Sequence, residues 1–347
     1  MPEGAEVLDC SSCTITAGFW NSHVHFHERK WASADSIPAA ELARQLAELT
    51  RYGFTNLFDL SSSWENTRRL RDRIESGEIG GPFIRSTGEG LIPAGGTPSA
   101  EVFRVLGLME TSLSEVSDAA QARDVSKNLL AQGVDALKLF LSAPTVGQLP
   151  PGAIRACVEE AHVAGKFVFA HPNAASDIFA ALDGGVDIIA HTTPRSGPWG
   201  GDVLEAMQAA EAALIPTLMV WQSMMRHDRI GARDALVGTA VAQLRAWLEW
   251  GGAVLFGTDL GAVEYDPTDE YALMSQAGAT FRGILASLTT APAQRFEGEP
   301  NAGEVAVGRL ADLAVLNGDP STNVRALASV RYTLRGGEII YREARSP

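Results

Sequence analysis

The sequence contains little cysteine, and this excludes a fold held together by disulfide bonds. Only three of its 347 residues are cysteines, and Cys10, Cys13 and Cys157 are too few for a disulfide framework. Cys10 and Cys13 have the spacing of half a zinc knuckle, but no second pair follows them. We therefore expect ordinary cysteines, with Cys10 and Cys13 in a turn before the first strand.

Positive charge and long apolar runs are also scarce. The chain has 28 lysines and arginines against 42 aspartates and glutamates, which gives a formal net charge of −14. An acidic surface repels a phosphate backbone, so we expect no nucleic-acid partner. No apolar run approaches the roughly 18 residues of a membrane-spanning helix, so we expect no membrane association. The N-terminal residues have neither the basic segment nor the apolar core of a signal peptide, which predicts a cytoplasmic location.

Material for a core is abundant. Hydrophobic residues make up 46% of the chain, and its length suits one large domain, alone or with a small annex. Short apolar runs alternate with amphipathic segments along most of the sequence. The eight predicted strands cover residues 17–26, 54–60, 82–90, 135–141, 166–171, 187–192, 213–219 and 253–259. The predicted helices cover residues 38–52, 65–76, 115–132, 151–164, 174–183, 201–212, 234–250 and 269–285.

This alternation predicts an α/β fold, the (β/α)8 TIM barrel. Strands that are almost continuously apolar are typical of a parallel sheet covered by helices. Eight strands alternating with helices match the number that closes such a barrel. An open doubly wound sheet is the alternative. Its dinucleotide-binding version is disfavoured, because no Gly-x-Gly-x-x-Gly follows the first strand.

The C-terminal tail differs in character from the rest. Residues 303–342 have short alternating runs and glycine-based turns, which are typical of β-hairpins. We predict a barrel over residues 17–296 and a small β-sandwich-like annex, built mainly from the tail, over residues 1–16 and 297–347. Few residues precede the barrel, so we expect the tail strands to lack partners. The edge they would leave favours a homo-oligomer.

Ionisable side chains fall at the ends of the predicted strands. His23 and His25 are two residues apart on the first strand, so their side chains point to the same side. His171 closes the fifth strand, His191 lies near the end of the sixth, and Asp259 closes the eighth. Sites in this fold lie at the C-terminal ends of the strands, where these residues would meet. Imidazoles and carboxylates are ligands that suit zinc.

Lys138 lies inside the fourth predicted strand, between Leu137 and Leu139. One interpretation is a lysine whose amine reaches out of the sheet to solvent. The other is a buried amine, which is costly unless it is paired or chemically altered. Beside metals its neutral form could react with carbon dioxide, and the resulting anion could bridge two cations.

Together these residues resemble the amidohydrolase superfamily. The motifs that carry the resemblance are His23-Val24-His25, Lys138, His171, His191 and Gly257-Thr258-Asp259, in this order. The surrounding stretches GFTNLFDL, GVDALKLF, LFGTDLG and ADLAVLNGDP are similar to the imidazolonepropionase-like branch, which includes Xaa-Pro dipeptidases. Members usually carry a longer segment before the first barrel strand than the 22 residues that precede His23 here.

The resemblance implies two zinc ions per chain and a residue role for each motif. His23 and His25 would hold one zinc ion, and His171 and His191 the second. Carboxylated Lys138 would bridge the two ions. Asp259 would be both a ligand of the first ion and the catalytic residue, which handles the proton of a bridging water.

The reaction implied is hydrolysis of an amide-like C–N bond in a small molecule, such as a dipeptide or an N-acyl amino acid. A metal-bridging hydroxide would attack the carbonyl, and Asp259 would pass a proton to the leaving amine. Opening of a cyclic amide or imidazolone ring and hydrolysis of an ester or lactone are alternatives within the enzyme class. A non-catalytic metal-binding barrel is the alternative of another class, and the intact Asp259 argues against it.

Four residues in loops after the strands are candidates for substrate binding. They are His27, Arg195, Trp221 and His227. His27 continues the alternation past His25, and His227 follows the seventh strand. Trp221 favours an apolar or aromatic substrate, and Arg195 could hold a substrate carboxylate.

Overall fold

The computed structural model of the chain describes residues 7–96, 113–143, 147–224, 230–261, 263–298 and 303–344. The candidate substrate residue His227 lies outside these ranges. The strands are β1 (Cys13–Ala17), β2 (Phe19–Val24), β3 (Phe54–Asp59), β4 (Phe83–Ser86), β5 (Leu91–Pro93), β6 (Ser114–Val116), β7 (Ala136–Phe140), β8 (Ser142–Ala143), β9 (Gly147–Gln148), β10 (Phe167–His171), β11 (Ile188–Ala190), β12 (Ala213–Ile215), β13 (Ala253–Val254), β14 (Leu313–Asn317), β15 (Val330–Arg335) and β16 (Glu338–Arg342).

The α-helices lie mainly between the strands of the parallel sheets. They are α1 (Ala39–Thr50), α2 (Trp64–Glu75), α3 (Ala119–Ala131), α4 (Pro151–Val163), α5 (Ala175–Asp183), α6 (Gly201–Ala209), α7 (Leu218–Met224), α8 (Ile230–Glu249), α9 (Thr268–Gln276), α10 (Phe281–Leu288) and α11 (Thr290–Glu297). Within the described residues, we find no helix with the length and apolar character needed to cross a membrane.

Eight parallel strands follow one another around a barrel, and the predicted (β/α)8 fold is confirmed. Their order is β2, β3, β4, β7, β10, β11, β12 and β13. A hydrogen bond from the Asp135 amide to the Ser86 carbonyl (2.7 Å) joins β4 to β7. The barrel closes between β2 and the segment directly after β13, where the Ser22 amide donates to the Phe256 carbonyl (2.7 Å).

The inside of the barrel is filled by apolar side chains, so it is a packed core. The buried interior cluster contains Phe58, Leu60, Ala136, Phe169, Ile188, Ala213, Ile215 and Leu255. Side chains two residues apart on a strand point to the same side. Lys138 therefore follows Ala136, and His171 follows Phe169, on the inner face of the barrel. This period is what places polar side chains above the apolar core.

Two predicted elements end earlier than the hydrophobic pattern indicated. The strand predicted over 213–219 stops at Ile215, because Thr217 has a left-handed backbone (φ 45°) and α7 begins at the next residue. The helix predicted over 269–285 is two helices, α9 and α10. Gly278 separates them, because its φ of 101° is incompatible with a continuous α-helix.

The annex is an antiparallel sheet with the order β1, β14, β15, β16. Its first strand comes from the N-terminal end, since β1 pairs with β14 from Cys13 opposite Asn317 to Ala17 opposite Leu313. Cys13 therefore lies in a strand and not in the expected turn, and the tail strands have this one N-terminal partner. The division into a barrel of residues 17–296 and an annex, and the homo-oligomer, stay predictions.

Gly18 separates two strands that the sequence indicated as one. β1 belongs to the annex and β2 to the barrel, and the Gly18 amide donates to the Asp312 carbonyl (2.8 Å) at the corner. A Cβ atom at this position would lie 2.2 Å from Thr55 Oγ1 and 2.5 Å from Thr55 Cγ2. The close approach of the Thr55 side chain therefore requires glycine here.

We expect Gly18→Ala to lower the free energy of unfolding by about 1–3 kcal/mol, the usual cost of overpacking a core. Gly238→Ala is the matched control: it lies in α8, where a Cβ meets nothing within 4 Å. Alanine should there stabilise the helix by about 0.5–1 kcal/mol. Urea denaturation of both variants measures the difference, and equal midpoints would contradict the close contact at Gly18.

Candidate metal centre

Three ligand atoms converge where the first and last barrel strands meet. His23 ends β2 with Val24, His25 follows directly, and Asp259 comes after β13. The His23 and His25 Nε2 atoms are 3.2 Å apart, and Asp259 Oδ1 lies 3.1 Å from the first and 2.8 Å from the second. The Asp259 amide donates to the His23 carbonyl (2.9 Å), so the barrel seam itself sets this spacing. The three residues form a possible metal site.

Two more imidazoles stand beside this group. His171 ends β10, and His191 follows β11. The ring centroid of His191 lies 4.7 Å from that of His23 and 4.5 Å from that of His171. The structure thus brings together all four histidines that the sequence pointed to.

Burial favours the neutral form of three of these imidazoles. Burial, together with the nearby Lys138, lowers the pKa of His23 to about 3 and that of His171 to about 4. The pKa of His191 is also well below its usual range, first because of burial and then because of His171. A neutral imidazole has a lone pair to offer a metal, whereas an imidazolium has none.

Asp259 is the charged partner of this cluster. Burial opposes its ionisation, but His23 and His191, with the hydrogen bonds from His23 and His25, hold the pKa of this carboxyl well below its usual range. Its backbone is left-handed (φ 62°), as is that of His191 (φ 84°). Such backbones are costly for non-glycine residues and concentrate at functional sites.

Lys138 is buried, and its amine makes no hydrogen bond within the described part of the chain. Its side chain has no solvent exposure, and Nζ has no hydrogen-bond partner among the described residues. Burial lowers the pKa of Lys138 to about 7, against the opposing effect of Asp259. An orphaned, partly neutral amine beside four imidazoles and a carboxylate fits a lysine that is modified to an anionic ligand.

The predicted substrate residues occupy different settings. His27 is buried and stacks on His25, with ring centroids 4.7 Å apart and an interplanar angle of 17°. Trp221 is buried in α7, and its indole N–H donates to Thr192 Oγ1 (2.9 Å). Arg195 is exposed in the short 3-10 helix Pro194–Ser196. His227 lies outside the described residues.

A model of the amidohydrolase family matches residues 14–341, which is nearly the whole chain. The chain belongs to the amidohydrolase family. It is a hydrolase of C–N bonds by that membership. A metal centre is a general property of the family, and His23, His25 and Asp259 form the possible site for one here.

Solved structures similar to this amidohydrolase share its fold at low identity. A Xaa-Pro dipeptidase with methionine bound in its active site has a TM-score of 0.80 and 21% identity, and the match covers 99% of this chain and 90% of that one. The ochratoxinase of A. niger has a TM-score of 0.78 and 20% identity, over 95% and 83% of the two chains. Phenylurea hydrolase B has a TM-score of 0.76 and 20% identity, over 98% and 88%. No curated protein matches the sequence.

Sequence reasoning missed a second buried carboxylate that supports the amidohydrolase site. Asp59 ends β3 with no solvent exposure, and burial raises its pKa. It accepts hydrogen bonds from Ser62 (2.5 Å), Ser86 (2.7 Å) and Thr67 (3.1 Å). Ser62 Oγ in turn accepts from the Phe26 amide (2.8 Å), which fixes the chain just after His25. The rule that found Asp259, an apolar strand ending in aspartate, could also have found Asp59.

Asn21 is a further missed residue, and it ties the two strands that carry the ligands. Its side-chain amide donates to Thr258 Oγ1 (2.8 Å), and its Oδ1 accepts from the Thr258 amide (3.2 Å) and the His23 amide (3.3 Å). One buried side chain therefore sets the relative position of His23 and the strand that leads to Asp259.

Proposed function

We propose that this amidohydrolase is a binuclear enzyme that hydrolyses the amide-like C–N bond of a small molecule, such as a dipeptide or an N-acyl amino acid. The observation that carries the proposal is the convergence of His23 Nε2, His25 Nε2 and Asp259 Oδ1 within 3.2 Å, beside the unpartnered amine of Lys138. A lysine at the surface needs no partner because water solvates its amine. A buried lysine is costly unless its amine is paired or chemically modified.

We assign the four imidazoles to the two ions in pairs. His23 and His25, with Asp259, would hold one zinc ion, and His171 and His191 the other. Carboxylated Lys138 would lie between them and compensate their charge. Two divalent cations, when bound, supply a nucleophile from water near neutral pH and polarise the carbonyl that is attacked.

The chain's own residues then move the proton. The pKa of Asp259 lies well below its usual range, so the carboxyl is ionised near neutral pH and an Oδ atom is free of a proton of its own when the attacking water must lose one. It can return that proton to the leaving nitrogen, which must be protonated to depart as an amine. The imidazoles of His23, His25, His171 and His191 could not do this while their lone pairs serve as ligands. This leaves Asp259 as the general acid and base.

The substrate class rests on the site and on what similar proteins act upon. The Xaa-Pro dipeptidase among the solved structures is named for a dipeptide substrate, and phenylurea hydrolase B for a urea. His27, Trp221, Arg195 and His227 remain our candidates for contact with the substrate. Among the described candidates, His27 stacks its ring on that of His25, one of the proposed ligands.

Metal content is the first test of this proposal. We expect about two divalent ions per chain, mainly zinc, in protein purified without chelator and measured by elemental analysis. His23→Ala should lose at least one ion. His162→Ala is the matched control. His162 lies on helix α4, away from the cluster, and pairs with Asp187, so this variant should keep both ions.

Turnover is the second part of the same test. The zinc-loaded protein is given a mixed library of dipeptides and N-acyl amino acids, with cyclic amides, esters and lactones as separate pools. If only the cyclic amides, esters or lactones are cleaved, the proposal of an open-chain amide substrate is wrong. No tightly bound metal, even after reconstitution with zinc and bicarbonate, would overturn the binuclear centre, and metal without any turnover would favour a binding barrel.

A further inference from the structure

A buried glutamate on α9 holds the segment that follows the seventh barrel strand. Glu270 has no solvent exposure, and among the described residues no lysine, arginine or histidine forms an ion pair with it. Its carboxylate instead accepts hydrogen bonds from the Leu218 amide (2.9 Å) and the Met219 amide (2.7 Å). These are the first two residues of α7, whose amides have no partner inside the helix. Glu270 therefore fixes where α7 begins.

The residue just before α7 is Thr217, and it has an unusual backbone. Its φ of 45° lies in the left-handed region, which β-branched residues rarely adopt, and its side chain is fully buried. A costly conformation of this kind persists only where its surroundings impose it. The hydrogen bonds of Glu270 to the next two amides impose it here. A second contact holds α7 in place, since Trp221 donates to Thr192 Oγ1 (2.9 Å).

The conformation of Thr217 brings its hydroxyl to a predicted zinc ligand. Thr217 Oγ1 lies 2.7 Å from Nδ1 of His191. In the described part of the chain, the Nδ1 atoms of His23 and His25 have no hydrogen-bond partner, so His191 differs from them. When Nδ1 of an imidazole donates its proton to a fixed oxygen, the lone pair is left on Nε2. A metal requires that tautomer and that ring orientation.

We propose that Glu270 is a positioning residue that acts through Thr217 on His191, and so sets the affinity of the second zinc site. The inference rests on the proposed binuclear centre. Its chain of contacts runs from the Glu270 carboxylate to the start of α7, from there to the left-handed Thr217, and from the Thr217 hydroxyl to the ring of His191. The first proposed zinc site lies at the barrel seam, and among the described residues its His23, His25 and Asp259 side chains make no hydrogen bond to Glu270 or Thr217.

The test is a zinc titration of metal-free protein against a chromophoric chelator, which measures both the number of ions bound and their affinities. Thr217→Val keeps the shape of the side chain and removes the hydroxyl. Glu270→Gln replaces one of the two oxygens that accept from the Leu218 and Met219 amides by an NH2 group, which cannot accept. We expect each variant to bind the first ion as the parent does and the second ion about 10–100-fold more weakly. Thr217→Ser, which keeps the hydroxyl, should bind both ions as the parent does.

Coupling between the two residues distinguishes positioning from a general loss of packing. If Glu270 acts through Thr217, adding Glu270→Gln to Thr217→Val should cause little further loss of affinity, because residues in one network are not additive. Thr333→Val is the matched control. The buried Thr333 hydroxyl, on annex strand β15, donates to the Thr50 carbonyl at the end of α1 (2.6 Å), so its removal should leave both affinities unchanged. If Thr217→Val does not fold, Thr217→Gly removes the same hydroxyl and accepts the left-handed backbone readily.

The outcomes separate this inference from the proposed function. A parent that binds fewer than two zinc ions overturns both. A parent that binds two, with Thr217→Val or Thr217→Gly variants that also bind two at parental affinity, overturns the positioning role alone. If the losses of zinc affinity in Glu270→Gln and Thr217→Val multiply when the two substitutions are combined, Glu270 does not act through Thr217.

Discussion

Asp259→Asn should keep most of its metal and lose most of its turnover. Asparagine has the same size and keeps one oxygen in the place of Oδ1, which lies 2.8 Å from His25 Nε2 and 3.1 Å from His23 Nε2. It has no site that accepts a proton near neutral pH. We therefore expect kcat to fall by about 10²–10⁴-fold, the usual contribution of a general acid or base.

The measurement is metal content and kcat side by side, on the substrate that the library identifies. Asp269→Asn is the matched control, because this exposed aspartate pairs with Arg325 at the surface and should change neither quantity. Parental turnover in Asp259→Asn would show that Asp259 does not carry the proton, and the mechanism proposed here would be wrong.

Lys138→Ala should produce a different pattern, in which metal is lost and activity is lost with it. Without the bridging anion, two cations would face each other with less compensating charge. We expect metal occupancy to fall from about two ions toward one or none, with kcat falling in proportion. Added acetate or propionate should restore part of both, since a short carboxylate fits the space that the lysine side chain leaves.

Lys138→Met separates the loss of the anion from the loss of packing. Methionine fills most of the volume above the apolar core, so it should fold at least as well as the parent but bind metal as poorly as Lys138→Ala. Lys127→Ala, at an exposed lysine on α3, is the control for removing a positive charge. Full metal occupancy in Lys138→Met, measured by elemental analysis, would exclude Lys138 as the bridging ligand.

The ligand cluster could be predicted because it depends on local rules that tertiary structure does not override. The two-residue period of a strand put His23 and His25 on one side, and parallel strands put His171 and Asp259 at the same end of the barrel. Apolar runs that alternate with amphipathic segments located the barrel strands, since a strand covered on both faces has little room for polar residues.

The residues that support the cluster could not be predicted, because their roles exist only in the folded chain. Glu270 lies in an ordinary helical stretch, and nothing near it in the sequence points to the Leu218 and Met219 amides, about 50 residues away. Thr217 lies inside residues 213–219, which the apolar pattern predicted as one strand, and nothing in that pattern indicates its left-handed backbone. The pairing of β1 with β14 was missed for a similar reason: the annex joins the two ends of the chain.

The closure of the barrel has a consequence for the order of events during synthesis. His25 and Asp259 are 234 residues apart in the chain, and their contact requires the last barrel strand. At the usual 5–20 residues per second, the ribosome needs roughly ten to fifty seconds to make that interval. During that time the two imidazoles have been synthesised without their carboxylate, and the growing sheet has open edges. The possible metal site formed by His23, His25 and Asp259 is therefore complete only after residue 259 has been synthesised and the last barrel strand has closed against the first.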